Sequence, residues 1–587
     1  MCGIAGIVSL DGAPELRTVR RMLDTQRHRG PDFSDALQLG HACLGHNRLS
    51  IIDLREASNQ PFTDGSGRYT LTFNGEIYNY LELRAELAST GYAFRTEGDV
   101  EVLLAAYLAW GADCLERLNG MFAFAIYDAE ERRLFAARDR FGVKPLAYAQ
   151  RDGSLAFASE IKALWAAGVP RSPDEATWAG YLAYGSYGAP DRTFWAGIRQ
   201  LPAGHALTWS VDDPRARISR WYDFAARVAQ TPVYDDKERL VAAYEELLAD
   251  SIRLRFRADV PVGFNVSGGL DSSALLALVA RYHPGDPLTA YSFYTGDDRY
   301  DELPWVRRLV AHTDSPLSPV LVTADEIPGL EAEVSAVQDE PYGGIPTLAY
   351  AQTFARARAD RRIVLLDGQG MDEQWAGYDY YRRGHGQAST IQGTTASPFR
   401  PGVLDARVAE LARAPRYPTP FGDWLLDTQY RDLFYTKIPR ALRFNDRISM
   451  RSSTELREPF LDYRLVELAF AQRRAFKIEG DVSKVVLRDI VAKELGADLA
   501  FAPKRPLQTP QREWLRGPLR GWVGEHLDRL FGGPAAAWFD EAAVRREWRA
   551  YLEGGVDSSF HVWQWVSVAR YVNAESPATV TQSSALA

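Results

Sequence analysis

The stretch VPVGFNVSGGLDSSALLALVARY (260–282) constrains the fold more than any other part of the chain. VPVGFNV reads as a buried strand, and the apolar run after SGGLDSS reads as a helix. Two glycines directly after a strand let the backbone approach a ligand closely. The helix that follows offers unpaired N–H groups and its positive dipole end to an anion. RRIVLLDGQG (361–370) repeats the strand-to-glycine turn about a hundred residues later. Strand, helix and strand in succession imply a parallel α/β sheet with ligands at the carboxyl ends of its strands. The lysine of a P-loop is absent. Asp271, among phosphate-binding groups, would need a cation beside it, and Mg2+ is the natural choice.

At 587 residues the chain is too long for one hydrophobic core, so two or more domains are expected. A charge of −9, from 77 acidic and 68 basic residues, argues against nucleic acid as a partner. Cys2, Cys43 and Cys114 are too few and too scattered for a disulfide framework or a four-ligand zinc site. The nine histidines show no metal-binding spacing. No apolar run is long enough to span a membrane, and MCGIAGIVSLDG lacks the features of a signal peptide, so the expected location is the cytoplasm.

Residues 1–209 read as short strands with turn signals, among them CLGHNRLSII, YTLTFNGEIYN and MFAFAIYD. YLELRAELASTG and DVEVLLAAYLAWG carry helical spacing, which together suggests layered α and β structure. The polar segment 210–236 is the expected linker, 237–574 the second domain, and 575–587 a disordered tail. Cys2 is the residue that asks for an explanation. Removal of Met1 would expose it as the mature amino terminus, and a thiol sharing a residue with a free α-amine carries its own proton acceptor. Taken by itself, Cys2 could equally be an ordinary residue opening the strand IAGIV.

SGGLDSS (267–273) resembles the pyrophosphate loop of the ATP pyrophosphatases, and with Cys2-Gly3-Ile4 the chain resembles the glutamine-dependent asparagine synthetase family. The resemblance runs from residue 1 to about 515 through RHRGPD (27–32), RLSIID (48–53), NGEIYNY (74–80), RDRFGVKPL (138–146), ASEIKAL (158–164), DGQGMDEQWAGY (367–378), REPFLDYRLVE (457–467) and PKRPLQTPQREWL (503–515). It implies a four-layer αββα N-terminal-nucleophile glutaminase fused to a helix-rich, parallel-sheet α/β ATP-pyrophosphatase domain. In that frame Cys2 attacks the glutamine side-chain amide, and Asn74 with the N–H of Gly75 holds the oxyanion. Arg48 binds the substrate carboxylate, and Asp99, with Glu76 nearby, receives its ammonium. Cys43 and Cys114 read as core residues.

The resemblance also implies that Asp271 and Asp372 hold Mg2+ and that the Ser267–Ser273 loop, with Gly268, Gly269, Ser272 between, grips pyrophosphate. Lys504 would stabilise developing charge, and Lys484 is a weaker phosphate candidate. Val266, Thr295 and the backbone at Asp367–Gly368 fall where the family binds adenosine. Several positions depart from the family pattern. Gln369 stands where the family has a glutamate, and a neutral amide cannot act as a general base. Asp367 replaces a serine, Ala376 a glycine, and Phe264 and Asn265 replace smaller or more apolar neighbours. Either Glu340, Tyr378 or Asp446 supplies the base, or the acceptor pocket takes something other than aspartate.

The implied activity is ATP- and glutamine-dependent amidation, through an acyl-adenylate, of aspartate to asparagine. The alternative is another carboxylic acid in a specialised biosynthetic pathway. A β-lactam-forming relative would have no need of Cys2, Arg48, Asn74 and Asp99. A non-catalytic sensor is opposed by Asp271, Asp372 and Lys504. Two working halves also imply an interdomain ammonia tunnel, and the resemblance makes a homodimer plausible.

Overall fold

The computed structural model describes residues 1–283, 288–384, 397–502, 509–555 and 558–573. The expected tail and Lys504 lie outside the described residues. The strand Gly3–Ser9 lies within a six-stranded sheet, antiparallel to Ala42–Arg48 and Ser154–Ala158. Both of its faces are covered, which is why IAGIV is apolar throughout. Ile4 and Val8 meet Ala123, Leu134 and Phe157 between this sheet and a second, whereas Ala5 packs toward the helix Leu16–Thr25.

The second six-stranded sheet contains Tyr69–Ile77, Gly120–Asp128 and Arg133–Arg138. Its outer face carries the helices Tyr80–Ser89 and Asp99–Trp110, through Leu83, Leu103 and Phe124 among others. The result is the four-layer αββα arrangement.

The expected linker is more structured than its polarity implied. Arg217–Arg220 forms an edge strand on His205–Ser210, with all four residues exposed. The helix Phe224–Gln230 docks on the second half, where the Phe224 and Phe470 ring centroids are 4.8 Å apart. An exposed edge strand has no buried face to impose alternation, so its sequence looks like linker.

In the second half five parallel strands run in the order Leu317–Leu321, Ala290–Tyr294, Val262–Asn265, Val364–Leu366, Glu455–Arg457. The chain reverses its direction of winding between Val262–Asn265 and Val364–Leu366, which opens a crevice at their carboxyl ends. The helix Leu270–Tyr282 starts at that crevice. Among the described residues no helix is long and apolar enough to cross a membrane.

Candidate active sites

Cys2 sits at the entrance to the strand Gly3–Ser9 and is buried. Its backbone N–H donates to Asn74 Oδ1 at 2.9 Å, and its Sγ lies 4.0 Å from the Leu49 carbonyl oxygen. Asn74 Nδ2 is buried and has no hydrogen-bond partner among the described residues. An unsatisfied amide there costs about 1–3 kcal/mol unless a ligand oxygen accepts from it. Gly75 follows at φ +153°, and a Cβ on it would lie 2.0 Å from the Met121 carbonyl oxygen, so the cross-strand neighbour leaves room for glycine only.

Arg48 spends NH1 on the Arg55 carbonyl and on Asn59 Oδ1, at 2.8 and 2.7 Å, and NH2 on the Ile52 and Asp53 carbonyls. Its guanidinium thereby ties down the 52–59 loop, which leaves Nε as the donor not used there. Asp99, first residue of the helix Asp99–Trp110, accepts from the Ile77 N–H at 2.9 Å. Burial pushes its carboxyl up to about 6. Burial, reinforced by Glu455 and Asp99, raises the Glu76 carboxyl well above the usual range. Burial also raises the Cys2 thiol, against the pull of the amino-terminal ammonium.

The second site is a cleft of about 390 Å3 at the crevice of the parallel sheet. Val266 through Ser273 line one wall, and Asp367, Gly368, Gln369 and Asp372 line the other. The loop is tied to itself: Ser272 Oγ donates to the Ser267 carbonyl at 2.5 Å and to that of Gly269 at 3.2 Å. Gly368 passes so close that a Cβ on it would meet the Ser272 nitrogen at 3.2 Å. Lys484, on a left-handed residue at φ +58°, brings its ammonium within 2.6 Å of both Asp271 and Asp372. Burial would lower that ammonium's pKa, but the two carboxylates hold it raised.

Two of the departures from the family pattern are linked through one tyrosine. Asn265 Nδ2 donates to the Tyr350 hydroxyl, which donates to Asp367 Oδ2 at 2.9 Å. Burial nevertheless pushes the Asp367 carboxyl up to about 6.

Three residues expected in the second site are not brought to it. Thr295 donates its N–H and hydroxyl to Asp301 Oδ1, at 2.7 and 2.9 Å, and does not line the cleft. Glu340 accepts from the Phe194 N–H at 2.8 Å and pairs with Arg443 at 2.9 Å, so its carboxylate is consumed in a structural contact. Asp446 pairs with Arg29 at 2.8 Å and lies 3.9 Å from Lys144. Burial alone would raise the Asp446 carboxyl, but Arg29 and Lys144 hold it low. Neither Glu340 nor Asp446 lines the cleft or the chamber next to it, whereas Tyr378 lines both.

Residues that the sequence did not single out join the two halves. Glu455 accepts from the Met1 ammonium at 2.8 Å, and Arg457 from the same strand reaches Glu76 Oε2 at 3.7 Å. Arg29 adds Glu160 at 2.9 Å to its Asp446 pair. The available signal was a charged pair two apart in ELR, since the strand period of two sends both side chains to one face.

Comparison with known proteins matches residues 1–222 to the glutamine amidotransferase domain family and residues 243–575 to the asparagine synthase family. A Mycobacterium tuberculosis protein provisionally named a glutamine-hydrolysing asparagine synthetase is 32% identical, over 96% of this chain and 95% of its own length. Asparagine synthetase 3 of Bacillus subtilis, also named as glutamine-hydrolysing, is 31% identical over 88% of each chain. A Gibberella zeae protein named amidase chry2 is 28% identical over 89% of this chain and 91% of its own.

Proposed function

The chain belongs to the glutamine-hydrolysing asparagine synthetase family, ATP-using ligases, and on that premise we propose that it amidates a carboxylic acid through an acyl-adenylate. Cys2 attacks the glutamine amide carbon once loss of Met1 has turned its amide nitrogen into an amine. Ammonia leaves, and water hydrolyses the thioester to glutamate. The observation that carries this reading is the buried, unpartnered Asn74 Nδ2 on the residue whose Oδ1 positions Cys2. A developing oxyanion is the acceptor that amide lacks.

In the second half an oxygen of the acid attacks the α-phosphorus of ATP, and the bond to pyrophosphate breaks. Ammonia then attacks the acyl carbon, the C–O bond to AMP breaks, and the surplus proton passes to water. The Ser267–Ser273 loop receives pyrophosphate at the start of the helix Leu270–Tyr282. Asp271 and Asp372 fit Mg2+, because two carboxylates plus substrate phosphates make a normal donor set and Lys484 already marks a cation position between them. A divalent ion there would neutralise charge on the departing pyrophosphate.

The relatives' names point to aspartate as the acid, and AMP release with Mg2+–ATP and glutamine, with and without aspartate, tests it. Aspartate-dependent AMP with new asparagine would establish that substrate. Glutamate release without it would move the search to another acid. The chamber beside the cleft, walled by Tyr187, Tyr342, Phe444 and Trp563, favours that second outcome.

Asp99 supplies a pH test. Its carboxyl titrates near 6, so it is ionised and able to receive the glutamine ammonium only above that pH. We expect the fall in kcat/KM for glutamine to steepen below about pH 6 by a further factor of about ten per pH unit, beyond the decline that protonation of the Cys2 α-amine imposes below about 8. A profile whose slope does not steepen between pH 7 and pH 5 would remove Asp99 from that role.

A further inference from the structure

The chamber beside the nucleotide cleft holds about 380 Å3, within the roughly 300–1,000 Å3 of cavities that enclose ligands of drug size. Gln369, Glu373, Tyr378 and Asn445 line both spaces, so a ligand in the chamber can present one end to the nucleotide. The remaining wall is largely aromatic, with Tyr187, Tyr342, Phe444, Phe560 and Trp563. Aspartate displaces the volume of about four waters, roughly 120 Å3 at ~30 Å3 each, and would leave most of this space unfilled.

Charge points the same way. Lys437 and Arg440 stand one helical turn apart on the chamber wall, and among the described residues neither side chain makes a hydrogen bond or ion pair. The Lys437 ammonium lies 5.1 Å from the Tyr378 ring centre and the Arg440 guanidinium 5.7 Å from that of Tyr187. The neighbouring Arg443 differs, since Glu340 neutralises it. Glu373 is the one carboxyl group among the described lining residues. It already accepts from the Tyr378 hydroxyl at 2.8 Å. An α-ammonium group would therefore face two cations and a single carboxyl group that Tyr378 already engages.

We propose that the acid amidated here is an aromatic carboxylic acid without an α-ammonium group. Its rings lie among Tyr187, Phe444 and Trp563, and its carboxylate lies beside Tyr378 and Lys437 at the opening to the cleft. This rests on the adenylating reading above, and two assays separate the failure of each.

The first is calorimetric titration of 2-naphthoate and of aspartate into the full chain with Mg2+ and a non-hydrolysable ATP analogue. Naphthoate is expected to bind at least about tenfold more tightly than aspartate. Ala441→Trp, which fills the chamber, is expected to abolish naphthoate binding, and Lys437→Gln to weaken it about tenfold, with Lys437→Arg restoring it. Glutamate release from glutamine checks that each variant is folded. Absent naphthoate binding, tighter aspartate binding, or naphthoate binding unaltered by Ala441→Trp would overturn the proposal. The second assay is AMP release. Naphthoate-dependent AMP supports both readings, and AMP with aspartate alone overturns the chamber assignment. Naphthoate that binds by these criteria but yields no AMP upholds the chamber as a binding site and overturns the assignment of aromatic acids as the group adenylated, while the adenylating reading is judged on AMP release with aspartate.

Discussion

Cys2→Ala is expected to remove glutamine-dependent amide formation by on the order of 10^4–10^6-fold while leaving ammonium-dependent formation intact, as measured by amide and AMP release with each nitrogen source. The size follows from what the pocket retains. Asn74 and Asp99 would keep their places, but no atom would remain to form the thioester. Ammonium enters after that step and needs none of these groups. Because burial raises the Cys2 thiol, the resting group is protonated near pH 7 and must lose its proton to a nearby base. The α-amine of a processed Cys2, ordinarily near ~8, is suited to that exchange. Protein retaining Met1, identified by intact mass, should therefore behave like the alanine variant. Asn74→Ala should cost about 2.7–4 kcal/mol of barrier, a loss of roughly 10^2–10^3-fold in kcat, with KM for glutamine less affected. Equal loss with both nitrogen sources in Cys2→Ala would show that Cys2 supports the fold instead of the chemistry.

The halves of this molecule differ in how much their sequence discloses, and the reason is locality. Residues 262–282 form strand, turn and helix in one run, so apolar patterning and two glycines suffice to read them. Cys2 and Asn74 are legible through short motifs whose partners lie in adjacent sheets. Asp446 is not, because its charge is used by Arg29, which lies 417 positions away in the chain. Glu340 is likewise diverted by Arg443 and the Phe194 N–H. A carboxylate near a motif can be catalytic or can neutralise a buried arginine, and only tertiary placement separates the two. The aromatic chamber was hidden for a related reason. Tyr187, Phe444 and Trp563 come from three distant segments, and each reads locally as an ordinary core residue.

Asp372→Asn is expected to abolish acid-dependent AMP formation, by about 10^3-fold or more, while glutamate release from glutamine continues. The cluster it belongs to has three charges: two carboxylates and the Lys484 ammonium 2.6 Å from each. The packing is tight enough that a Cβ on Gly377 would fall 1.9 Å from Asp372 Oδ1 and 2.1 Å from Lys484 Cε. An asparagine keeps that shape, so the fold should survive, as circular dichroism and retained glutaminase activity would check. What changes is charge. With one carboxylate fewer, Lys484 and a bound divalent ion compete for Asp271 alone, and the ion's affinity falls. Repulsion among the pyrophosphate oxygens is then less neutralised as the bond to the α-phosphorus breaks, which is where a phosphoryl-transfer site supplies most of its stabilisation. Raising Mg2+ should recover part of the lost rate in Asp372→Asn, because weaker ion binding is overcome by mass action. Recovery should be absent in Asp271→Asn/Asp372→Asn, which keeps neither carboxylate. AMP formation that persists unchanged in Asp372→Asn would move the cation site elsewhere in the cleft and leave Lys484 to neutralise two structural aspartates.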